Sequence, residues 1–379
     1  MSEIAERFGT PTYVYDLAAI RRQVRRLQGE FADAALLYAV KANPNGEVLR
    51  ELARLGVGAE SITLGELERV LLAGIPALRA LVGGPGQDAR LIDRAAELGV
   101  AQVSLDSRSQ WELWRDRRHE TNRFLVRINP QLDPGTHRHL ATGAAASKFG
   151  MPESEALDLA AELARDGVLA GFHFHVGSQI SSLSVYERLA EIVGRVFTAR
   201  PEADTLDLGG GFAVPDFPLA EFAVIARDLA ARSGARLLLE PGRFLVAEAE
   251  VLLTKVSHLK PGLVRHVIAD AGMADLLRPA LYGAQHPVRR LGDPHGGESA
   301  DLDGPLCENA DRLAQGVPLP GDLKRGDVLV VEQAGAYGMA MASNYASSLR
   351  PAEVAVDGDE VRLTRRRETT EDLLRLEFP

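Results

Sequence analysis

Cysteine is almost missing from this chain, which has one, Cys307, in 379 residues. An intrachain disulfide and a cysteine-built metal cluster are therefore excluded, although the one thiol remains available as a reactive group. Basic charge is in deficit, with 43 Lys and Arg against 53 Asp and Glu, a net charge of -10 with the acids spread along the chain. Apart from short clusters such as Arg21-Arg22 with Arg25-Arg26, which read as a solvated helix face, nothing basic could line a nucleic-acid groove. No apolar run reaches the roughly 18 residues of a membrane helix. The segment Met1 to Arg7 lacks the basic-then-apolar order of a signal peptide. A soluble cytoplasmic protein with neither membrane nor nucleic-acid partner is expected. No internal repeat or low-complexity segment is present, and no GxGxxG follows a first strand, which disfavours a nicotinamide enzyme.

What the chain does have is length and apolar residues, 46% of the total, enough for a large core and two domains. Strand-like runs recur at 36–41, 57–60, 80–82, 101–105, 123–129, 169–175, 204–208 and 236–240. Helical patterns lie between them near 47–55, 64–73, 87–98, 107–118, 151–166, 182–197 and 218–233. Eight strands alternating with helices predict an α/β fold, a closed (β/α)8 TIM barrel, over an open doubly wound sheet. Beyond Pro241 short strands separated by Gly, Pro and Asp turns predict a second, mainly β domain, a Greek-key-like barrel or sandwich, with strands at 244–260, 265–270, 327–332, 353–356 and 361–365. The polar stretch His286 to Asp303 reads as a surface loop, and the early strand at 11–16 is expected to return to this sheet. The domains are thus read as 17–242 for the barrel and 1–16 plus 243–379 for the β domain.

Several stretches carry chemistry. Leu36 to Lys41 is an apolar run ending in one lysine, whose amine could be a nucleophile toward an aldehyde or could simply snorkel to solvent. Gly209-Gly210-Gly211 follows the seventh barrel strand, where exposed backbone N–H groups suit a phosphate and where a tight packing turn is the plain alternative. His173 and His175 share one side of the sixth strand; His175 could stack on a flat ring and Ser178 could donate to a phosphate. A core role for either imidazole stays open, while a metal is disfavoured because no carboxylate accompanies them at ligand spacing. Glu240-Pro241-Gly242-Arg243 ends the eighth strand with a carboxylate suited to a pyridinium nitrogen and a guanidinium suited to a carboxylate, or with a structural ion pair. Farther on lie Arg278 with Tyr282, Cys307-Glu308 and Tyr337 between glycines, each weak alone.

Together, Tyr38-Ala39-Val40-Lys41-Ala42-Asn43, His175 to Gln179, Gly209 to Phe212, Glu240 to Arg243, Asp270 to Met273 with Arg278 to Tyr282, Cys307-Glu308 and Ala334 to Gly338 resemble the fold-type III pyridoxal-phosphate-dependent decarboxylases, and within them the branch acting on diaminopimelate. The resemblance runs from Thr10 to about Val356. It implies pyridoxal 5'-phosphate as cofactor, held covalently at Lys41, stacked by His175, paired at its ring nitrogen by Glu240, and gripped at its phosphate by Ser178, Gly209, Gly210, Gly211 and Tyr337. Gly242 and Arg243 belong to the same cofactor motif, and Arg127 matches a family arginine near the cofactor. It further implies a homodimer in which Cys307 and Glu308 complete the partner's site, and a loop after the fifth strand marked by Thr142-Gly143 and Ser147 to Gly150.

Diaminopimelate has a second amino-acid head, for which Arg243, Arg278 and Tyr282 offer an anion clamp and Glu308 an ammonium acceptor. Family members that form diamines carry Cys-Asp instead, so the resemblance implies decarboxylation of meso-2,6-diaminopimelate to L-lysine, with Cys307 as proton donor. Glu60 and Thr63 stand where the family has an aspartate and a serine, Gln87 replaces a lysine, and Asn309 replaces a serine. The last keeps open another amino-acid-like substrate, such as carboxynorspermidine, ornithine, arginine or a siderophore or antibiotic precursor. An alanine-racemase-like activity and a cofactor carrier without turnover are weaker alternatives, since the chain has the cysteine-glutamate element and a long second domain.

Overall fold

The computed structural model describes residues 1–132 and 147–378, so Thr142-Gly143 lie outside the described residues. The chain forms two compact units, Arg21–Phe244 and Met1–Ile20 with Leu245–Pro379. Strand β1 (Thr12–Asp16) belongs to the second unit. The first unit is a closed parallel barrel of β2 (Ala35–Ala39), β3 (Gly58–Ser61), β4 (Ala80–Val82), β5 (Gln102–Leu105), β6 (Arg123–Arg127), β7 (Leu169–His173), β8 (Thr205–Asp207) and β9 (Arg236–Leu239). Closure is through Ala35↔Leu238 and Leu36↔Leu239. All eight expected strands are present.

The barrel forms because its strands are apolar on both faces while each connecting helix is apolar on one. Helix Ala89–Glu97 shows the pattern: Leu91, Ile92, Ala95 and Ala96 are buried, and the Asp88 side chain caps its start by accepting from the Leu91 N–H at 2.9 Å. Leu37, Leu81, Leu125, Ala170 and Leu238, from strands on opposite sides of the ring, meet in one buried cluster. Such strands can meet only inside the barrel, so the cluster is a solid floor beneath the strands' carboxyl ends. Each leucine buried there contributes about 1.5–3 kcal/mol. At Gly171 a β-carbon would fall 1.9 Å from the Thr205 carbonyl oxygen, so only glycine lets β7 and β8 approach as they do.

The second unit is mainly β. Its nine strands make one mixed sheet that adds β10 (Glu250–Lys260), β11 (His266–Ala269), β12 (Val288–Arg290), β13 (Glu298–Asp303), β14 (Arg312–Leu319), β15 (Val328–Val331), β16 (Ala352–Asp357) and β17 (Glu360–Arg365) to β1. As expected, β1 returns to this sheet, antiparallel to β10 and parallel to β16. Ile4 and Ala5 of helix Ser2–Phe8 pack with Val14, Leu253, Val330 and Val354.

Two expectations fail here. Residues 243–249 are helical turns, with the strand beginning only at Glu250. His286 to Asp303 is not a surface loop, because β12 and β13 run through it. Its acidic residues hid the strand: Ala300 and Leu302 are buried, and the intervening Asp301 is buried too, neutralised by Arg312 at 3.0 Å.

Candidate functional site

The carboxyl ends of the barrel strands gather the charged residues that the sequence singles out. Lys41 is not the last residue of a strand, because β2 ends at Ala39 and Val40–Ala42 form a 3-10 turn that swings the lysine over the barrel mouth. Its Nζ lies 3.1 Å from Oε2 of Glu60 at the centre of β3. Glu60 is buried. The lysine is therefore a paired cation with a partly exposed stem, not the desolvated one that a buried strand tip suggests. Beside it, burial pushes the Glu66 carboxyl up to about 7, although the Ile62 N–H donates to it at 2.8 Å. Glu60 is thus one of the departures from the family, and Thr63, the other in this stretch, caps the following helix by accepting from the Glu66 N–H.

His173 ends β7 and is fully enclosed, its Nδ1 2.7 Å from Ser104 Oγ and its Nε2 3.8 Å from Glu240 Oε2. His175 accepts from the Gly210 N–H through Nδ1 at 3.2 Å, which leaves its proton on Nε2. Burial, with the positive charges of Arg127 and Lys41 adding to it, lowers both imidazoles well below their usual range and keeps them neutral. Ligand atoms of His173, His175 and Glu240 all lie within 4.8 Å of one another. A carboxylate thus does accompany the two histidines, in space rather than in sequence, which corrects the reason given for setting a metal aside.

The glycine loop is equally specific. A β-carbon at Gly209 would stand 2.5 Å from His175 Nδ1, at Gly210 2.2 Å from the Glu240 carbonyl oxygen, and at Gly211 2.0 Å from the Gly177 carbonyl oxygen. Two of the three N–H groups are already used, Gly209 by Asp207 Oδ1 at 2.7 Å and Gly210 by His175. The loop therefore does not present three free donors to an anion, as the sequence suggests. Asp207 itself was not anticipated: it closes β8, is wholly buried, and is visible in the sequence only as the acid two positions before the glycines.

Arg127 ends β6, buried, with Nη1 3.4 Å from Asp106 Oδ1 and its guanidinium 4.9 Å from the centre of the Phe149 ring. Asp106, also unanticipated, accepts from the Gly150 N–H at 2.7 Å. Arg243 is buried and reaches Ser178 Oγ at 3.5 Å. A β-carbon on Gly242 would press on Ala39 and Ala42 at 3.1 and 3.2 Å, so this glycine seats the Lys41 turn. Gln87, where the family has a lysine, is buried and accepts from Trp114 Nε1 at 2.7 Å while donating to the Ser104 carbonyl at 2.8 Å.

The barrel mouth is built to take a polar occupant. Glu240 Oε1, Asp207 Oδ2 and His173 Nε2 are buried without a hydrogen-bond partner among the described residues, and such groups call for a polar occupant. A glycine cradle and a partly exposed lysine flank them.

In the other unit, Arg278 and Tyr282 stand one turn apart on helix Arg278–Tyr282, with Arg278 Nη1 3.2 Å from His286 Nε2. Cys307 and Glu308 are exposed on a tight 304–311 turn and, with Asn309, line a cavity of about 510 Å3. Asp311 builds that turn: its carboxylate takes the N–H groups of Leu306 and Met273, and Gly272 and Gly304 have no room for a β-carbon beside it. Tyr337 adopts φ 59, an unusual conformation for a non-glycine residue.

Residues 17–247 match the family model of the pyridoxal-dependent decarboxylase pyridoxal-binding domain. Diaminopimelate decarboxylase of Deinococcus radiodurans is 40% identical over 98% of this chain and 97% of its own length. The solved diaminopimelate decarboxylase of Helicobacter pylori complexed with L-lysine superposes with a TM-score of 0.94 at 33% identity, covering 99% of this chain and 98% of that one. A lysine/ornithine decarboxylase from Vibrio vulnificus complexed with cadaverine superposes less closely, at 0.82 and 25% identity over 94% of this chain and 97% of that one. The chain thus belongs to the pyridoxal-dependent decarboxylases, in their diaminopimelate decarboxylase branch.

Proposed function

We propose that the protein removes carbon dioxide from meso-2,6-diaminopimelate to leave L-lysine, using pyridoxal 5'-phosphate. The observation that carries this is one barrel mouth holding an accessible amine, a buried acid with an unsatisfied oxygen, and a glycine cradle, in a chain similar end to end to diaminopimelate decarboxylases. When bound, the cofactor supplies an aldehyde that captures amines and a ring that draws electrons from the bond to the departing carboxylate.

The residues have distinct tasks. Lys41 would hold the cofactor, and Glu60 is the counter-ion to its amine. His175, neutral, would stack on the cofactor ring, and Glu240 would hold a proton at the ring nitrogen. Ser178, Tyr337 and the loop Gly209, Gly210 and Gly211 would hold the phosphate, Gly209 and Gly210 by leaving room for it and Gly211 by its N–H, while Gly242 seats the lysine turn and Arg127 would set the charge beside the ring. Arg243, Arg278 and Tyr282 clamp the distal carboxylate of the substrate, Glu308 takes its distal ammonium, and Cys307 delivers a proton from Sγ to the carbon that has lost its carboxylate. The barrel, 17–242, is the cofactor domain, and 1–16 with 243–379 is the domain through which a homodimer completes each site, its Cys307 and Glu308 exposed as such a role requires.

Carbon dioxide release from meso-diaminopimelate, lysine, ornithine, arginine and carboxynorspermidine tests the reading. Release from diaminopimelate alone is expected, and turnover of only one of the other four overturns the substrate. Asn309 is the residue that leaves room for that second outcome, since this exposed amide lines the same cavity as Cys307 and Glu308. Borohydride reduction followed by peptide mapping should mark Lys41, and an unmarked Lys41 peptide rejects the cofactor assignment. Glu308→Asp should weaken diaminopimelate use more than cofactor binding; equal loss of both would show that its role lies elsewhere.

A further inference from the structure

Asp207 is buried among the groups that meet the cofactor, yet the tasks above do not use it. Its Oδ1 accepts from the Gly209 N–H at 2.7 Å, and its carbonyl accepts from the Phe174 N–H at 2.8 Å. The Gly209 carbonyl in turn accepts from the Glu240 N–H at 2.7 Å. One glycine therefore braces both acids, of which Asp207 closes β8 and Glu240 directly follows the neighbouring β9. The second oxygen of Asp207 and one oxygen of Glu240 are buried with no hydrogen bond to any other described residue, and the two carboxyl groups lie within hydrogen-bonding reach of each other. The charged and titratable groups facing the pair are Glu60 on β3, Arg127 on β6, Lys41 on its turn, and the neutral His173 and His175 at the end of β7.

Two carboxyl groups packed together out of water do not both ionise at neutral pH. Glu240 is driven well above the usual carboxylate range, first by burial and then by Asp207 and Glu60. Asp207 is driven less far, to about 7, because the Gly209 N–H supports its anion against the burial that raises it. Asp207 has the Gly209 N–H at 2.7 Å to support its anion, while no backbone donor reaches the Glu240 carboxyl among the described residues, so the geometry places the shared proton on Glu240.

Resting on the reading of this mouth as a pyridoxal phosphate site, we propose that Asp207 is a positioning residue: its carboxylate, tied to the phosphate loop through Gly209, keeps a proton on Glu240, so that the acid meets the ring nitrogen as proton carrier. The O–H bond of Glu240 breaks as the N–H bond of the ring forms. The new carboxylate then pairs with the ring cation, and charge balances.

The test is pyridoxal phosphate affinity of cofactor-free protein as a function of pH, by fluorescence titration, for wild type and Asp207→Asn. The amide keeps the shape and still accepts from Gly209 but removes the charge beside Glu240. Glu240 then gives up its proton at lower pH, so the alkaline fall in affinity should begin about one pH unit earlier, an affinity about tenfold weaker than wild type at a pH on that limb. A uniform loss at every pH, or a curve coincident with wild type, overturns the proposal.

Thermal melting of the cofactor-free proteins gives a second readout. Both acids have folded-state values raised above their unfolded ones, so their stabilisation is present on the acid side and is lost as pH rises through the folded values. Melting temperature should therefore fall across neutrality in wild type and fall less in Asp207→Asn and in Glu240→Gln. If Asp207→Asn does not fold, Glu240→Gln decides, and an undiminished fall overturns the pairing. Should wild type take up no pyridoxal phosphate, the functional reading fails while the melting comparison still judges the pair.

Discussion

The two mouths of the barrel are built from the same eight strands and could hardly differ more. At the amino ends lies a bowl of about 670 Å3, walled by Phe31, Leu36, Leu37, Val57 and Ala80, with Arg79, Arg123 and Arg236 exposed at its rim. No carboxylate lines it among the described residues, and its charges stand in water. At the carboxyl ends Glu60, Asp106, Arg127, His173, Asp207, Glu240 and Arg243 are all buried. Burying a charge costs several kcal/mol unless it is matched, so evolution keeps such a cluster only where it does something. Unsatisfied buried polar atoms mark the working end of this barrel; an open hollow does not.

That contrast can be attacked from both ends. Lys41→Ala should remove turnover by on the order of 10^4-fold or more and abolish borohydride trapping, as measured by carbon dioxide release and mass spectrometry. Retained trapping at another residue would move the chemistry elsewhere. Glu240→Gln should lower kcat by about 10^2-fold while the protein still takes up cofactor. Full activity in that variant would empty the buried acid of its role.

Glu66 sharpens the comparison through pH. Its folded-state value is raised by burial from 4.5 to about 7, so the stability it gives is present at low pH and is lost as pH rises through that window. Glu66→Gln should therefore melt about 2 °C higher than wild type at pH 8, relative to their difference at pH 4, by calorimetry. At the opposite mouth Arg79→Ala should leave kcat/KM within about twofold, since exposed substitutions away from buried networks change little. A large loss there would show that the bowl takes part after all.

The barrel was legible because its signal is repeated: each strand is a short apolar run, each helix has one apolar face, and Gly56, Gly74, Gly99 and Gly167, all with positive φ, punctuate them. Site residues carried by compact local motifs, such as Lys41 and Gly209 to Gly211, were legible for the same reason. What the sequence hid were relations across strands. Asp207 becomes notable only when Glu240 arrives beside it from β9, and Asp311 only when Gly272 and Gly304 close on its carboxylate. The carboxylate beside His173 and His175 was hidden in the same way, because Glu240 is remote from them along the chain and adjacent to them in the fold. Strand β13 was misread because a buried aspartate with an arginine partner breaks the alternation on which strand recognition depends.

Strand β1 is hydrogen-bonded on both edges by strands far along the chain, β10 from residue 250 and β16 from residue 352. During synthesis from the amino terminus, the Tyr13 and Tyr15 strand must therefore wait, unpaired, while the whole barrel emerges from the ribosome. At about 5–20 residues per second, that delay lasts on the order of ten seconds or more. All of the barrel's strand pairs except the closing one between β2 and β9 can form as they appear, whereas β1 is satisfied on both edges only near the end of translation. In a cell, the nascent chain is most exposed to holdase chaperones at its very beginning.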